Sequence, residues 1–206
     1  EVTILPEERA MQLRALVELR SGTEELSRLL FRLGAPVTLQ GIYQLNTAEM
    51  PQSVTPTSED GAPLDFSHEG VALLCRFPEK LKPREEVSLY LVYKFDGNHP
   101  ELQFAGSIGE GSGFLHVQSG WYPMTTFSDS STSRTVFRIE EPYTVVGCGA
   151  LENEKTLEDG TREFTWAATI PYIGQSMAYG DYTVESREVR IAGQTFPIRV
   201  YALEGN

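Results

Sequence analysis

The three histidines, His68, His99 and His116, are the side chains of this 206-residue sequence best suited to hold a metal. His68-Glu69 opens the pattern His-Glu-x-x-His, in which two imidazoles one helical turn apart share a zinc ion. The position that should hold the second histidine is Ala72, and the segment leads into an alternating strand pattern instead of a helix. His99 and His116 fall on separate segments with no second ligand at metal spacing. Around Ser112, a nucleophile elbow needs Gly-x-Ser-x-Gly at a strand-to-helix turn, but Glu110 and Phe114 stand in the two glycine places. The glycines of Gly109-Glu110-Gly111-Ser112-Gly113 also lack the Lys-Ser or Lys-Thr and the following helix of a phosphate loop, so they read as a flexible turn. Carboxylates such as Asp96 and Glu140-Glu141 are plentiful, yet a formal charge of −12 supplies them as acidic surface without catalysis. No catalytic residue and no metal ligand is assigned.

Aromatic residues offer binding chemistry instead. Trp121, Tyr122, Tyr172, Tyr179 and Tyr182 cluster around expected loops, where exposed rings stack on sugars or dock a protein. In Trp121-Tyr122-Pro123 the proline fixes the backbone beside two large rings. A rigid apolar loop of this kind anchors interfaces, so these three residues are the candidate binding or domain-interface element, with Trp121 expected near the surface.

The elements that carry them are strands. Met11 to Arg20 alternates apolar and polar residues, the period of a half-buried strand. Leu26 to Leu33, Val37 to Tyr43, Gly70 to Phe77 and Val87 to Phe95 read the same way, with Gly34-Ala35-Pro36 as a turn. Thr23 to Leu30 also fits a helical period, the alternative for that stretch. Downstream, strands are expected over Thr135 to Ile139, Tyr143 to Leu151, Tyr182 to Ile191 and Gln194 to Leu203, the last two joined at Ala192-Gly193. Thr47 to Ala62 reads as a surface loop, Asp96 to Gly113 as short strand pieces joined by turns, and Ser128 to Ser133 as a Ser/Thr-rich run.

Composition bounds the possibilities. At 23.0 kDa the chain suits one all-β domain with a sizeable core. Its 29 acidic against 17 basic residues repel phosphate backbones, which excludes nucleic acid as a natural partner. No run approaches the ~20 apolar residues of a membrane helix. Cys75 alternates with Val71, Leu73 and Phe77 and reads as a small core hydrophobe, while Cys148 sits between two glycines, so both thiols are expected to be free.

From Gly113 to Val184 the order and spacing of the elements resemble the N-terminal β-domain of the aminopeptidase N family of zinc metallopeptidases. Tyr122-Pro123 resembles the family's segment before a Pro-Cys-x-Asp turn, and Phe137-Arg138-Ile139-Glu140-Glu141-Pro142 the strand-to-proline step after it. Val145-Val146-Gly147-Cys148-Gly149 is similar to the step into a hairpin with the acidic tip Glu158-Asp159-Gly160, and Thr165-Trp166 and Ile170-Pro171 match the return strand. Met124-Thr125-Thr126 depart from the family's cysteine and aspartate. The Gly-x-Met-Glu-Asn and zinc motifs of the catalytic domain are missing, and the ending Tyr201-Ala202-Leu203-Glu204-Gly205-Asn206 resembles the point where that domain begins.

The resemblance implies a single antiparallel-rich β domain over residues 1–206, a sandwich or saddle-like body. It also implies a non-catalytic role: framing the active site of a catalytic domain in the same chain, which would hold the zinc and meet the peptide substrates. The parent protein is then expected to be extracytoplasmic or membrane-associated. The alternative is a free-standing β-sandwich module that binds carbohydrate or protein.

Overall fold

A computed structural model describes residues 1–126 and 130–203. Ser128 and Asp129 of the Ser/Thr run, and Glu204, Gly205 and Asn206 of the expected domain junction, lie outside the described residues. In chain order the strands are β1 (Val2–Leu5), β2 (Ala10–Arg20), β3 (Leu26–Arg32), β4 (Val37–Leu45), β5 (Gly61–Pro63) and β6 (Asp65–Glu69). Then come β7 (Ala72–Leu81), β8 (Glu86–Asp96), β9 (Gly106–Ile108), β10 (Ser112–Leu115), β11 (Ser131–Ile139) and β12 (Thr144–Val146). The last are β13 (Ala150–Thr156), β14 (Arg162–Tyr172), β15 (Met177–Gly180), β16 (Tyr182–Ile191) and β17 (Gln194–Leu203). Among the described residues the helical content is one 3-10 turn, Val117–Ser119.

Eight strands form the main sheet in the order β13-β14-β11-β1-β2-β8-β4-β5. Its pairings are antiparallel except for β1 against β11, where Val2 faces Phe137. A four-stranded sheet (β12-β15-β10-β9) and a three-stranded sheet (β3-β7-β6) pack on it, and β16 and β17 pair only with each other. The architecture is therefore the expected all-β, antiparallel-rich one.

Alternation explains the core. On β2, Met11 and Leu13 are buried while Gln12 is exposed, and they pair with the buried Phe95 and Tyr93 of β8. Phe31, Leu73 and Cys75 from the three-stranded sheet, and Leu115, Val145 and Tyr179 from the four-stranded one, join the same cluster. Burying whole side chains of this kind contributes roughly 1.5–3 kcal/mol each, so all three sheets are held by one core. The other face of β8 is also closed, because Tyr90 and Val92 pack with Leu45 and the partly buried Leu16, Tyr43 and Met50. The segment from Thr47 to Ala62 is thus tied down rather than loose: Asn46 N–H donates to the Asp60 carbonyl at 2.9 Å, and the Asp60 carboxylate accepts from Thr57 N–H at 2.8 Å.

Two expectations change. Thr23 to Leu30 is not helical, since β3 pairs along β7. Tyr143 to Leu151 is not one strand but the end of one sheet and the start of another. A Cβ on Gly147 would lie 2.9 Å from the Trp166 ring, and one on Gly149, at φ 94°, would lie 2.1 Å from the Ala167 carbonyl oxygen. Only a bare backbone passes so close to β14, and it leaves β12 in the four-stranded sheet and β13 in the main one.

Cys148 sits at this crossing, where its thiol donates to the Ser176 carbonyl oxygen at 3.4 Å. Both cysteines are free, Cys75 in the core and Cys148 half-buried. Burial pushes the Cys75 thiol up to about 11, and the thiolate is the reacting form. A thiol reagent at pH 8 is therefore expected to modify Cys148 in the folded protein and Cys75 only after denaturant is added. Equal reaction of both in the native state would contradict this packing.

Candidate functional site

Trp121-Tyr122-Pro123 follows the 3-10 turn, which Gly120 closes at φ 65° while its carbonyl accepts from Gly34 N–H at 2.8 Å. The Gly34 backbone packs directly on this turn, since a Cβ there would lie 2.1 Å from the Ser119 carbonyl oxygen. The loop is thus pinned from below, and Trp121 is driven inward. At 2% exposure its indole is a core residue, not the surface anchor expected from sequence. Its ring lies 5.0 Å from that of Tyr122, edge-on, and 6.3 Å from that of Phe137. The indole N–H donates to the Gln175 carbonyl at 3.2 Å, and the Trp121 carbonyl accepts from the Tyr93 hydroxyl at 3.1 Å. Tyr122 is half-buried, and its hydroxyl oxygen accepts from Gln175 N–H at 2.6 Å. Tyr122 and Pro123 are half-buried, and the surface position expected for Trp121 is corrected: an indole this large, with its N–H bonded inside, leaves water.

A carbohydrate-stacking platform loses its rings by the same packing. Trp121 and Tyr179 are buried, and Tyr172 is half-buried with its hydroxyl 3.1 Å from Ser133 Oγ. The histidines serve local backbone: His68 Nε2 lies 3.1 Å from the Leu33 carbonyl, and His99 and His116 each accept from the N–H two residues on, both at 3.3 Å. Among the described residues no three His, Cys, Asp or Glu side chains group to hold a metal.

A groove of about 950 Å³ opens above Trp121 and Tyr122. β1 lies between β2 and β11 at one end of it. The groove is lined by consecutive residues, 13–18 of β2 and 131–135 of β11, with Tyr93, Trp121, Tyr122 and Gln175 below. At its closed end Glu1 and Arg14 bond reciprocally, the Glu1 amine to the Arg14 carbonyl at 2.8 Å and Arg14 N–H to the Glu1 carbonyl at 2.9 Å. Their side chains also form an ion pair, with Arg138 3.9 Å from the same carboxylate. Burial works to raise the Glu1 carboxyl, but Arg14, the amine and Arg138 outweigh it and hold it below the usual carboxylate range. Nearby, burial likewise works against the charge of Glu163, and Lys155 and Arg138, both bonded at 2.9 Å, hold its carboxyl low. Among the described residues that line it, no nucleophile is paired with a base. It can hold an extended backbone.

A second surface was not singled out in the sequence. Paired residues of β16 and β17 share a face, and the pairs Val189–Phe196 and Arg187–Ile198, with Ile191 and Val200 beside them, put an apolar stripe on one side of the hairpin. Ile191, Phe196, Ile198 and Val200 are 61%, 43%, 48% and 57% exposed. An isolated two-stranded hairpin is marginally stable in water, so such a stripe marks a contact surface. Its signal was present in the alternation of Phe196, Ile198 and Val200, but alternation alone does not say whether the face meets this core or something else.

The eight-stranded, nearly antiparallel sheet with its two smaller sheets and hairpin is a fold this chain shares with part of solved M1 zinc metallopeptidase structures. The M1 zinc metallopeptidase of Deinococcus radiodurans matches over 99% of this chain with a TM-score of 0.77 at 16% identity, and a mutant of a two-domain M1 zinc metallopeptidase bound to L-tryptophan matches over the same share at 0.76 and 15%. Legionella pneumophila aminopeptidase A in complex with aspartic acid matches over 97% at 0.70 and 16%. The chain spans 46% of the first two structures and 23% of the third. No family model matches the chain, and no curated protein does.

Proposed function

We propose that this chain is a non-catalytic domain of a zinc aminopeptidase-like metallopeptidase, packed beside a catalytic domain of the same polypeptide and framing its active site. The observation that carries the reading is the fold likeness over 99% of this chain to structures of which it spans only 46%. The donor set here does not fit zinc, because the three histidines lie on separate elements and each serves nearby backbone. Zinc, and the chemistry of activating water for peptide hydrolysis, would belong to the catalytic domain. This chain's contribution is mechanical: a rigid β body beside a metal cleft excludes bulk water and limits which peptide termini enter.

The test is direct. Coding sequence past Asn206 is expected to encode His-Glu-x-x-His with a downstream glutamate, and the full polypeptide, unlike residues 1–206 alone, to release N-terminal amino acids from peptides. Absence of the motif, or aminopeptidase activity in the isolated chain, would sink the reading.

On this proposal the β16–β17 stripe is the contact with the catalytic domain. Changing Phe196 and Ile198 together to Ser is expected to move the stability of residues 1–206 by no more than about 1 kcal/mol, as exposed sites do. In the full polypeptide the same change should speed hydrogen exchange of the hairpin amides. Unchanged exchange there would place the contact elsewhere.

A further inference from the structure

We propose that the free edge of β16 pairs with β16 of a second copy of this chain, antiparallel and about a two-fold axis at Ser186, so that two hairpins join into one four-stranded sheet. This rests on ladder geometry and is independent of the proposed function, because an edge lies at right angles to the face that carries the apolar stripe.

The hairpin turn decides which backbone groups face outward. Ala192 and Gly193, at φ 50° and 85°, form a two-residue loop, and Ile191 pairs with Gln194 across it. Such a loop is closed by a hydrogen-bonded pair, and bonded and non-bonded pairs then alternate down the ladder. Val184, Ser186, Glu188 and Arg190 fall at non-bonded positions, so their N–H and carbonyl groups point away from β17. All four residues are exposed, and among the described residues no strand pairs with β16 on that side. A row of free backbone groups is a template for another strand. The opposite edge of the hairpin is not equivalent. Pro197, paired with Glu188, stands at an outward position of β17 and has no N–H to give, so the row there is broken.

Charge selects both the occupant and the register. The chain as a whole carries −12, but the hairpin sets Arg187, Arg190 and Arg199 against Glu185 and Glu188, so two hairpins approach without the repulsion of the acidic body. Centred on Ser186, the pairing places Glu185 opposite Arg187 of the second copy and Arg187 opposite its Glu185, two opposite-charge pairs on one face. Centred instead on Glu185, Arg187 or Glu188, it would oppose that residue to its own copy, and like charges directly opposite destabilise a ladder. The Ser186 centre alone overlaps the whole strand, with Tyr182 opposite Arg190, and opposes no like charges. The product is an isologous dimer, closed by its own symmetry. It also doubles a two-stranded hairpin, which is marginal by itself, into a sheet of four.

Sedimentation of the 206-residue chain tests this with two charge reversals. The native chain is expected to dimerise as its concentration rises. Arg187→Glu sets Glu185 against a like charge, and Glu185→Arg does the same to Arg187, so each variant alone should dimerise at least tenfold more weakly. An equimolar mixture of the two restores both opposite-charge pairs in the mixed dimer and should recover the native strength, which misfolded variants would not do. Phe196→Ser with Ile198→Ser, which alters the face and not the edge, should change dimerisation by less than twofold. A native chain still monomeric at ~1 mM, the weak end of measurable association, would overturn the proposal. So would a mixture no stronger than its components, or loss of the dimer in the Phe196 and Ile198 variant, which would move the contact to the stripe.

Discussion

Trp121→Ala is expected to cost the isolated 206-residue chain about 3–5 kcal/mol, the range for removing a buried large aromatic from a core. The residue is 2% exposed, its ring packs on Tyr122 and Phe137, and truncation would leave the Gln175 carbonyl without its indole donor. In a chain of this size that corresponds to a fall in melting temperature of roughly 10 °C. Trp121→Phe separates the contributions: it keeps most of the buried area and loses the N–H bond, so about 1–2 kcal/mol is expected. Urea unfolding of the three proteins measures both steps. A loss below ~1 kcal/mol for the Ala variant would restore the surface position read from the sequence.

That residue also shows where sequence reading ends. The strands were legible because alternation is a local signal: β8 and the β16–β17 hairpin lie within a residue of their expected bounds, since Leu89, Leu91, Tyr93 and Phe95 must share a face in any strand. What a face meets is not local. Trp121-Tyr122-Pro123 has the composition of an interface loop, and only the close approach of Gly34 to Ser119 turns its indole inward. The same limit explains the break at Gly147-Cys148-Gly149, which depends on the Ala167 carbonyl and the Trp166 ring, both on β14. The groove was invisible for the same reason, because β2 and β11 face each other across it only once β1 is known to lie between them.

A chain beginning at Glu1 is expected to gain about 2 kcal/mol of stability as pH rises from 6 to 8. Burial pushes the Glu1 amine down to about 6 from an ordinary value of 8.0, and every tenfold loss of proton affinity on folding corresponds to about 1.4 kcal/mol. The Glu1 carboxylate favours the ammonium, whereas Arg14 from β2 and Arg138 from β11 oppose it. Between the two values the unfolded chain binds a proton that the folded chain releases, so stability rises with pH across this window. It is fully present above about 8 and is lost as pH falls towards 6. The control is acetylation of the Glu1 amine. The acetylated chain keeps an N–H for the Arg14 carbonyl and carries no ammonium, and subtracting its profile leaves the amine alone. Urea unfolding at pH 6 and 8 should give a steeper rise for the free amine by about the stated amount. Parallel profiles would mean that the amine is solvated in both states. The closed end of the groove, where Arg14 and Arg138 face the amine, would then be open to water.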